Sequence, residues 1–156
     1  VTADVGALPP DLAGGRFDLV YAATGVLVWI PDVDRWAAVI AGALAPGSRF
    51  LLFEAHPVEM CLWGVDGRVE ITEDYFDTGR PLESVGWSHF EGAEDAREPS
   101  VEFGWTLGQV ITALATAGLR IERLDEYPTD SEWRFGEAMA EARRLPGTIL
   151  LIASLG

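Results

Sequence analysis

A chain of 156 residues that is 49% hydrophobic suits one domain with a buried core and excludes a disordered chain. Eleven basic residues, all arginine, stand against 25 acidic ones; the net charge of −14 repels phosphate backbones and anionic lipid, which argues against nucleic-acid and membrane partners. Cys61 is the single cysteine, so no internal disulfide is expected, no apolar run has transmembrane length and no signal peptide is visible, a set of features that fits a cytoplasmic protein.

In chain order, residues 1–5 read as the end of a strand entering a loop. Residues 17–23, opened by Gly14-Gly15, form an apolar run of strand length, the pattern of a strand buried on both faces. A helix is expected from Pro31, with Asp32 or Asp34 near its start, Trp36, Val39, Ile40 and Leu44 at helical spacing, and Pro46-Gly47 ending it. Residues 49–55 are a second buried strand. From 57 to 104 the chain is acidic and rich in turns, with alternating stretches at 68–76, 84–90 and 100–105; this length exceeds a plain connection and reads as a cap or substrate-binding insertion. Helical spacing returns over 106–117, Gly118 closes it, 119–127 is a strand, 130–145 a loop with a short amphipathic helix, and 148–155 a last apolar strand. Strands alternating with helices imply one α/β domain over 1–156, its sheet covered on both faces, and the short junction between the last two strands allows an antiparallel end.

Few residues carry obvious chemistry. His56, just after the second strand, is the candidate general base, able to take a proton from a hydroxyl or amine; the alternative is a structural histidine bonded to loop backbone. Glu54 either contacts substrate, orients His56 or pairs with an arginine. Tyr75, Phe76, Trp87, His89, Phe90, Phe103 and Trp105 supply aromatics for a small-molecule pocket, or else a small core of the insertion itself. Two histidines without paired-ligand spacing suggest no metal site and no Ser-His-Asp triad.

FDLVYAATGVLVWIPDVDRW, then LAPGSRFLLFEAHP, then TLGQVITALATAGLRIERLDEYP resemble the second half of a class I S-adenosylmethionine-dependent methyltransferase. Residues 44–48 match the family's Leu-x-Pro-Gly-Gly turn with Ser48 for the second glycine, and the order and spacing of the segments are more specific than any one of them. The resemblance covers nearly the whole chain, least well over 57–104. It implies a Rossmann-like sheet of order 3-2-1-4-5-7-6 with an antiparallel last strand. This chain would hold the tail of strand 3 and strands 4 to 7, but lack strands 1 and 2 and the glycine-rich cofactor loop; no G-x-G occurs in it.

The resemblance also implies S-adenosyl-L-methionine as cofactor and methyl transfer to O, N or C of a small molecule, and the acidic composition favours a neutral or cationic one. Asp4 and the Val5 amide would meet the adenine, while Ala23, Thr24 and Gly25 would meet the methionine end, Gly25 allowing close approach. The competing readings are a loop carboxylate at Asp4 and a plain strand-to-loop turn at 23–25. Trp29, Glu54, Tyr75 and His89 are the candidate substrate contacts. The start at Val1 points to residues upstream, and activity is expected to need them. A different class of function is a cofactor-incompetent module acting in protein association, since a strand 4 left at an open edge pairs readily with another chain, including a second copy. A nucleotide-binding oxidoreductase is the third alternative, disfavoured by the antiparallel final strand.

Overall fold

The computed structural model describes residues 2–85 and 99–156. Its centre is a four-stranded sheet ordered β1-β2-β8-β7, built from β1 (Phe17–Ala23), β2 (Leu44–Ala55), β7 (Leu119–Pro128) and β8 (Pro146–Leu155). β1 and β2 are parallel, and β8 runs antiparallel between β2 and β7. This is the expected 4-5-7-6 order.

Helix α1 (Val33–Ala43) begins two residues after Pro31, because the Asp32 carboxylate accepts from the Arg35 amide at 2.9 Å and fixes the cap there. Pro46-Gly47 does not end it: the helix stops at Ala43 and the extended backbone of β2 already runs from Leu44 through the Pro-Gly pair. Helix α3 (Leu107–Thr116) opens with a capping box in which Thr106 and Gln109 satisfy each other's backbone amides. Both helices lie on one face of the sheet. Trp36 and Ile40 of α1, Val110 and Leu114 of α3, and Phe50, Leu52, Ile149 and Leu151 of the strands make the main core. Trp36 meets Phe50 edge-on, 5.8 Å between ring centres.

The expectation of a sheet covered on both faces is not met. Register pairs Leu19 with Arg49, Tyr21 with Leu51, and Phe53 with Leu150, so these side chains share the second face. No described helix lies over it: Leu19 is 56% exposed, Tyr21 57% and Phe53 37%. The apolar run at 17–23 has the composition of a strand buried on both sides, but α1 and α3 cover only the side of Val20 and Ala22. Residues 1–5 also depart from expectation. No strand occurs over 2–16, and Asp4 sits in a turn, its carboxylate accepting from the Gly6 amide at 2.8 Å.

Within 57–104, α2 (Pro57–Met60) leads to the hairpin β3 (Leu62–Val65) and β4 (Arg68–Ile71), and β5 (Pro81–Val85) pairs antiparallel with β6 (Pro99–Phe103). The hairpin packs on the short turns α4 (Glu132–Phe135) and α5 (Met139–Ala142) of the 130–145 stretch. Leu62, Phe135, Ala138 and Ala142 form the resulting second core, which is mostly aliphatic rather than built from the aromatics of the insertion.

Candidate functional site at the carboxyl ends of the parallel strands

β1 ends at Ala23 in a sharp left-handed turn, with φ of 44° at Thr24 and 82° at Gly25. A β-branched residue at positive φ is strained by about 1–3 kcal/mol and persists only where its surroundings hold it. Here the restraint is Glu54. Its carboxylate, only 3% exposed, accepts from the amides of Gly25 at 2.6 Å, Val26 at 2.7 Å and its neighbour Ala55 at 2.8 Å, with Leu27 at 3.4 Å. Several N–H donors converging on a buried carboxylate are charge-assisted bonds, stronger than neutral ones. Glu54 therefore neither orients His56 nor pairs with an arginine; its side chain shapes the turn that follows β1. Gly25 has open space where a Cβ would point, so a ligand can approach its backbone.

Asp4 and Val5 are exposed and are drawn to the same end of the sheet by Arg35, in the first turns of α1, whose Nε donates to the Gly6 carbonyl at 2.6 Å. Nothing in the sequence flags this Arg35 contact, which spans 29 positions and depends on the tertiary fold. Trp29, 40% exposed, lies in a 3₁₀ turn, Leu27–Trp29, beyond Gly25. The next residue, Ile30, accepts from Trp105 Nε1 at 2.8 Å, which ties the insertion to this loop.

His56 is placed otherwise than a general base requires. It is 4% exposed, and its Nδ1 accepts from the Val58 amide at 3.0 Å, capping α2. The ring proton therefore sits on Nε2, 2.9 Å from a Glu126 carboxylate oxygen but out of line for a good hydrogen bond. Burial holds the imidazole below its ordinary pKa, against the opposing pull of Glu126 and Glu59. With one nitrogen occupied and the other protonated and enclosed, His56 is a structural histidine, the alternative open in the sequence. Glu126 had no sequence signal as its partner.

Tyr75 also serves the backbone. Its hydroxyl accepts from the Leu107 amide at 3.0 Å, at the start of α3, so it anchors its segment beside that helix. His89, Trp87 and Phe90 lie outside the described residues. Arg134, not singled out in the sequence, is buried with its guanidinium over the rings of Trp63 at 4.5 Å and Trp133 at 5.0 Å, and donates to the Leu62 carbonyl at 3.1 Å. Among the described residues no group of three or more His, Cys, Asp or Glu is arranged to hold a metal, and no helix is long and apolar enough to cross a membrane.

Solved structures share this architecture. An S-adenosylmethionine-dependent methyltransferase of Mesorhizobium loti is 27% identical, with a TM-score of 0.65 over 97% of this chain and 67% of that one. A structure from Listeria monocytogenes assigned to the same class is 17% identical, with a TM-score of 0.70 over 99% of this chain and 67% of its own. Geranyl diphosphate C-methyltransferase from Streptomyces coelicolor, solved with S-adenosyl-L-homocysteine, is 10% identical with a TM-score of 0.58 over the full chain and 52% of its own. No family model and no curated protein matches the chain.

The fold is thus that of class I S-adenosylmethionine-dependent methyltransferases, enzymes whose cofactor is S-adenosylmethionine. The antiparallel β8 between β2 and β7 removes the oxidoreductase alternative. The chain spans about two thirds of the length of the first two of these structures.

Proposed function

We propose that this chain takes part in methyl transfer from S-adenosylmethionine to O, N or C of a small molecule, within a protein that also supplies the cofactor's glycine-rich loop. The observation that carries this reading is the Thr24-Gly25 turn. It is strained, open to solvent and held by a buried carboxylate at the carboxyl end of a parallel strand, where open α/β sheets bind their ligands.

The residues present fit the cofactor in two places. The backbone of Ala23, Thr24 and Gly25 would hold the methionine end, with Glu54 fixing its shape. Asp4 and the Val5 amide, anchored through Arg35, would hold the adenine. When bound, the cofactor supplies an electrophilic methyl group on sulfur. The chain's contribution is placement, which suffices for in-line transfer when donor and acceptor are aligned. His56 takes no part in proton transfer in this reading, and Trp29 remains a candidate wall of the acceptor site. The net charge of −14 favours a neutral or cationic acceptor and disfavours nucleic acid and anionic membrane, and the absence of disulfides fits a cytoplasmic setting.

Calorimetric titration of S-adenosylhomocysteine into the protein tests this, with saturable binding expected and its loss in Gly25→Val. Absence of binding to a protein extended by its upstream residues would overturn the reading.

A second reading rests on the open sheet face. Leu19, Tyr21 and Phe53 are exposed beside β1, which has no partner on its outer edge among the described residues. An apolar face and an unpaired strand favour a role in protein association. Light scattering discriminates: a concentration-dependent assembly supports it, and a monodisperse monomer removes it.

A further inference from the structure

From the end of β4 onward the chain leaves two large hydrophobic side chains almost wholly in water, Ile71 at 82% and Phe76 at 80% exposure. Each forgoes roughly 1.5–3 kcal/mol of burial there, and apolar groups gathered beside a concavity mark a binding surface. Between them lies a groove of about 490 Å³ floored by Val58, Leu62 and the Cys61 thiol. Its lining is mostly apolar, and its only charged members are Glu73 and Asp74. Neither forms an ion pair with an arginine: Arg80 is bonded to Asp77 and only feels Asp74 at longer range, and Arg134 faces the two tryptophans and backbone carbonyls. Asp74 uses one oxygen to accept from the Phe76 amide, and Glu73 has no side-chain partner among the described residues. The Cys61 thiol is pushed up by burial and then by these two carboxylates, with Arg134 opposing them, which sets both carboxylates close to the groove. The groove is tied through the chain to the elements that carry the site already described. Only His56 separates α2 from the carboxyl end of β2, and the Tyr75 hydroxyl, at the groove, accepts from the amide of the first residue of α3.

We propose that this groove is the acceptor-binding site and takes an amphiphilic ammonium, its apolar body between Ile71 and Phe76 and its positive charge against Glu73 and Asp74. The acceptor role rests on the methyltransferase reading above; the groove's preference for an apolar cation does not. The ammonium is an anchor, since a protonated or quaternary nitrogen has no lone pair to accept a methyl group. The acceptor atom is therefore elsewhere on the same molecule.

Three probes with one aromatic body and different charges test this by calorimetry on the protein: benzyltrimethylammonium, benzyl alcohol and phenylacetate. The cation is expected to bind saturably, to weaken on raising salt to about 0.5 M, and to lose roughly tenfold affinity in the Glu73→Gln, Asp74→Asn double variant, equivalent to about 1.4 kcal/mol. Phenylacetate is expected not to bind. Phe76→Ala, a change at the surface, should weaken cation and alcohol alike. Equal binding of all three probes, or full cation affinity in the double variant, overturns the proposal. Cation binding by a protein that, extended by its upstream residues, still fails to bind S-adenosylhomocysteine removes the acceptor role and the methyltransferase reading together, leaving a cation groove. S-adenosylhomocysteine binding without cation binding removes the groove alone.

Discussion

Glu54, at the carboxyl end of β2, and His56, just beyond that strand, stand two residues apart and are both almost fully buried, yet they do opposite things for the site. Glu54 reaches sideways and gathers amides from the loop after the neighbouring strand, holding a strained turn open to solvent. His56 turns forward and caps the helix of its own chain segment, closing its ring off from solvent. The lesson is that a titratable side chain at a strand's carboxyl end is not thereby a reacting group. What matters is whether its free atoms face a ligand, and here the acid shapes the site while the base is enclosed.

Substitution at Glu54 should separate the two most strongly. Glu54→Ala leaves the Gly25 and Val26 amides without their acceptor beside a strained turn, and a loss of about 3 kcal/mol is expected by urea unfolding, with S-adenosylhomocysteine affinity falling at least in step. His56→Ala should cost less, about 1–2 kcal/mol for a lost cap and a small cavity, and leave S-adenosylhomocysteine affinity unchanged. A fall in affinity matching that of the Glu54 variant would erase the contrast. Gly25→Ala should cost about 1 kcal/mol, all of it conformational, because nothing stands where its Cβ would go. Stability unchanged by that substitution would deny the left-handed turn.

The smallest effect is one of pH. His56 has a pKa below its ordinary 6.5 in the folded protein, so between the folded and unfolded values the unfolded chain binds more protons. Its contribution to stability is then fully present above about 6.5 and is lost as pH falls through the lowered value. His56→Asn keeps a capping oxygen but cannot titrate, and its urea midpoint between pH 5 and 8 should lack that component. An unchanged pH profile would place the histidine in a different environment.

The fold was legible in the sequence where local signals agree with the tertiary arrangement. The apolar runs at 17–23, 49–55 and 148–155 and the helical spacing after Thr106 all became the expected elements, because continuous β-branched and aromatic stretches and a capping box are local properties. The helix before β2 ended early because extended pairing with β1 competes with helix beyond Ala43. The site was legible in position and less so in role. Thr24-Gly25 lies where expected, but the partners that define Glu54, His56 and Tyr75 are backbone amides, two of the three sets from segments about 30 residues away, and no spacing rule reports such contacts. The exposure of Tyr21 and Leu19 was illegible for a related reason: composition records what a strand suits, and its neighbours decide what it receives.

The place of β8 has a consequence for how the molecule folds. This strand pairs with β2 across about a hundred residues of chain and is also the only link between β7 and the rest of the sheet. Parallel β1–β2 pairing can form early, but the sheet becomes continuous only when β8 enters between β2 and β7. Loop closure over so long a segment is slow. Synthesis from the amino end delays it further, since the strand is made after everything it joins. Until then β2 and β7 each present an open edge, and the growing chain is most prone to aggregate in the interval before its centre arrives.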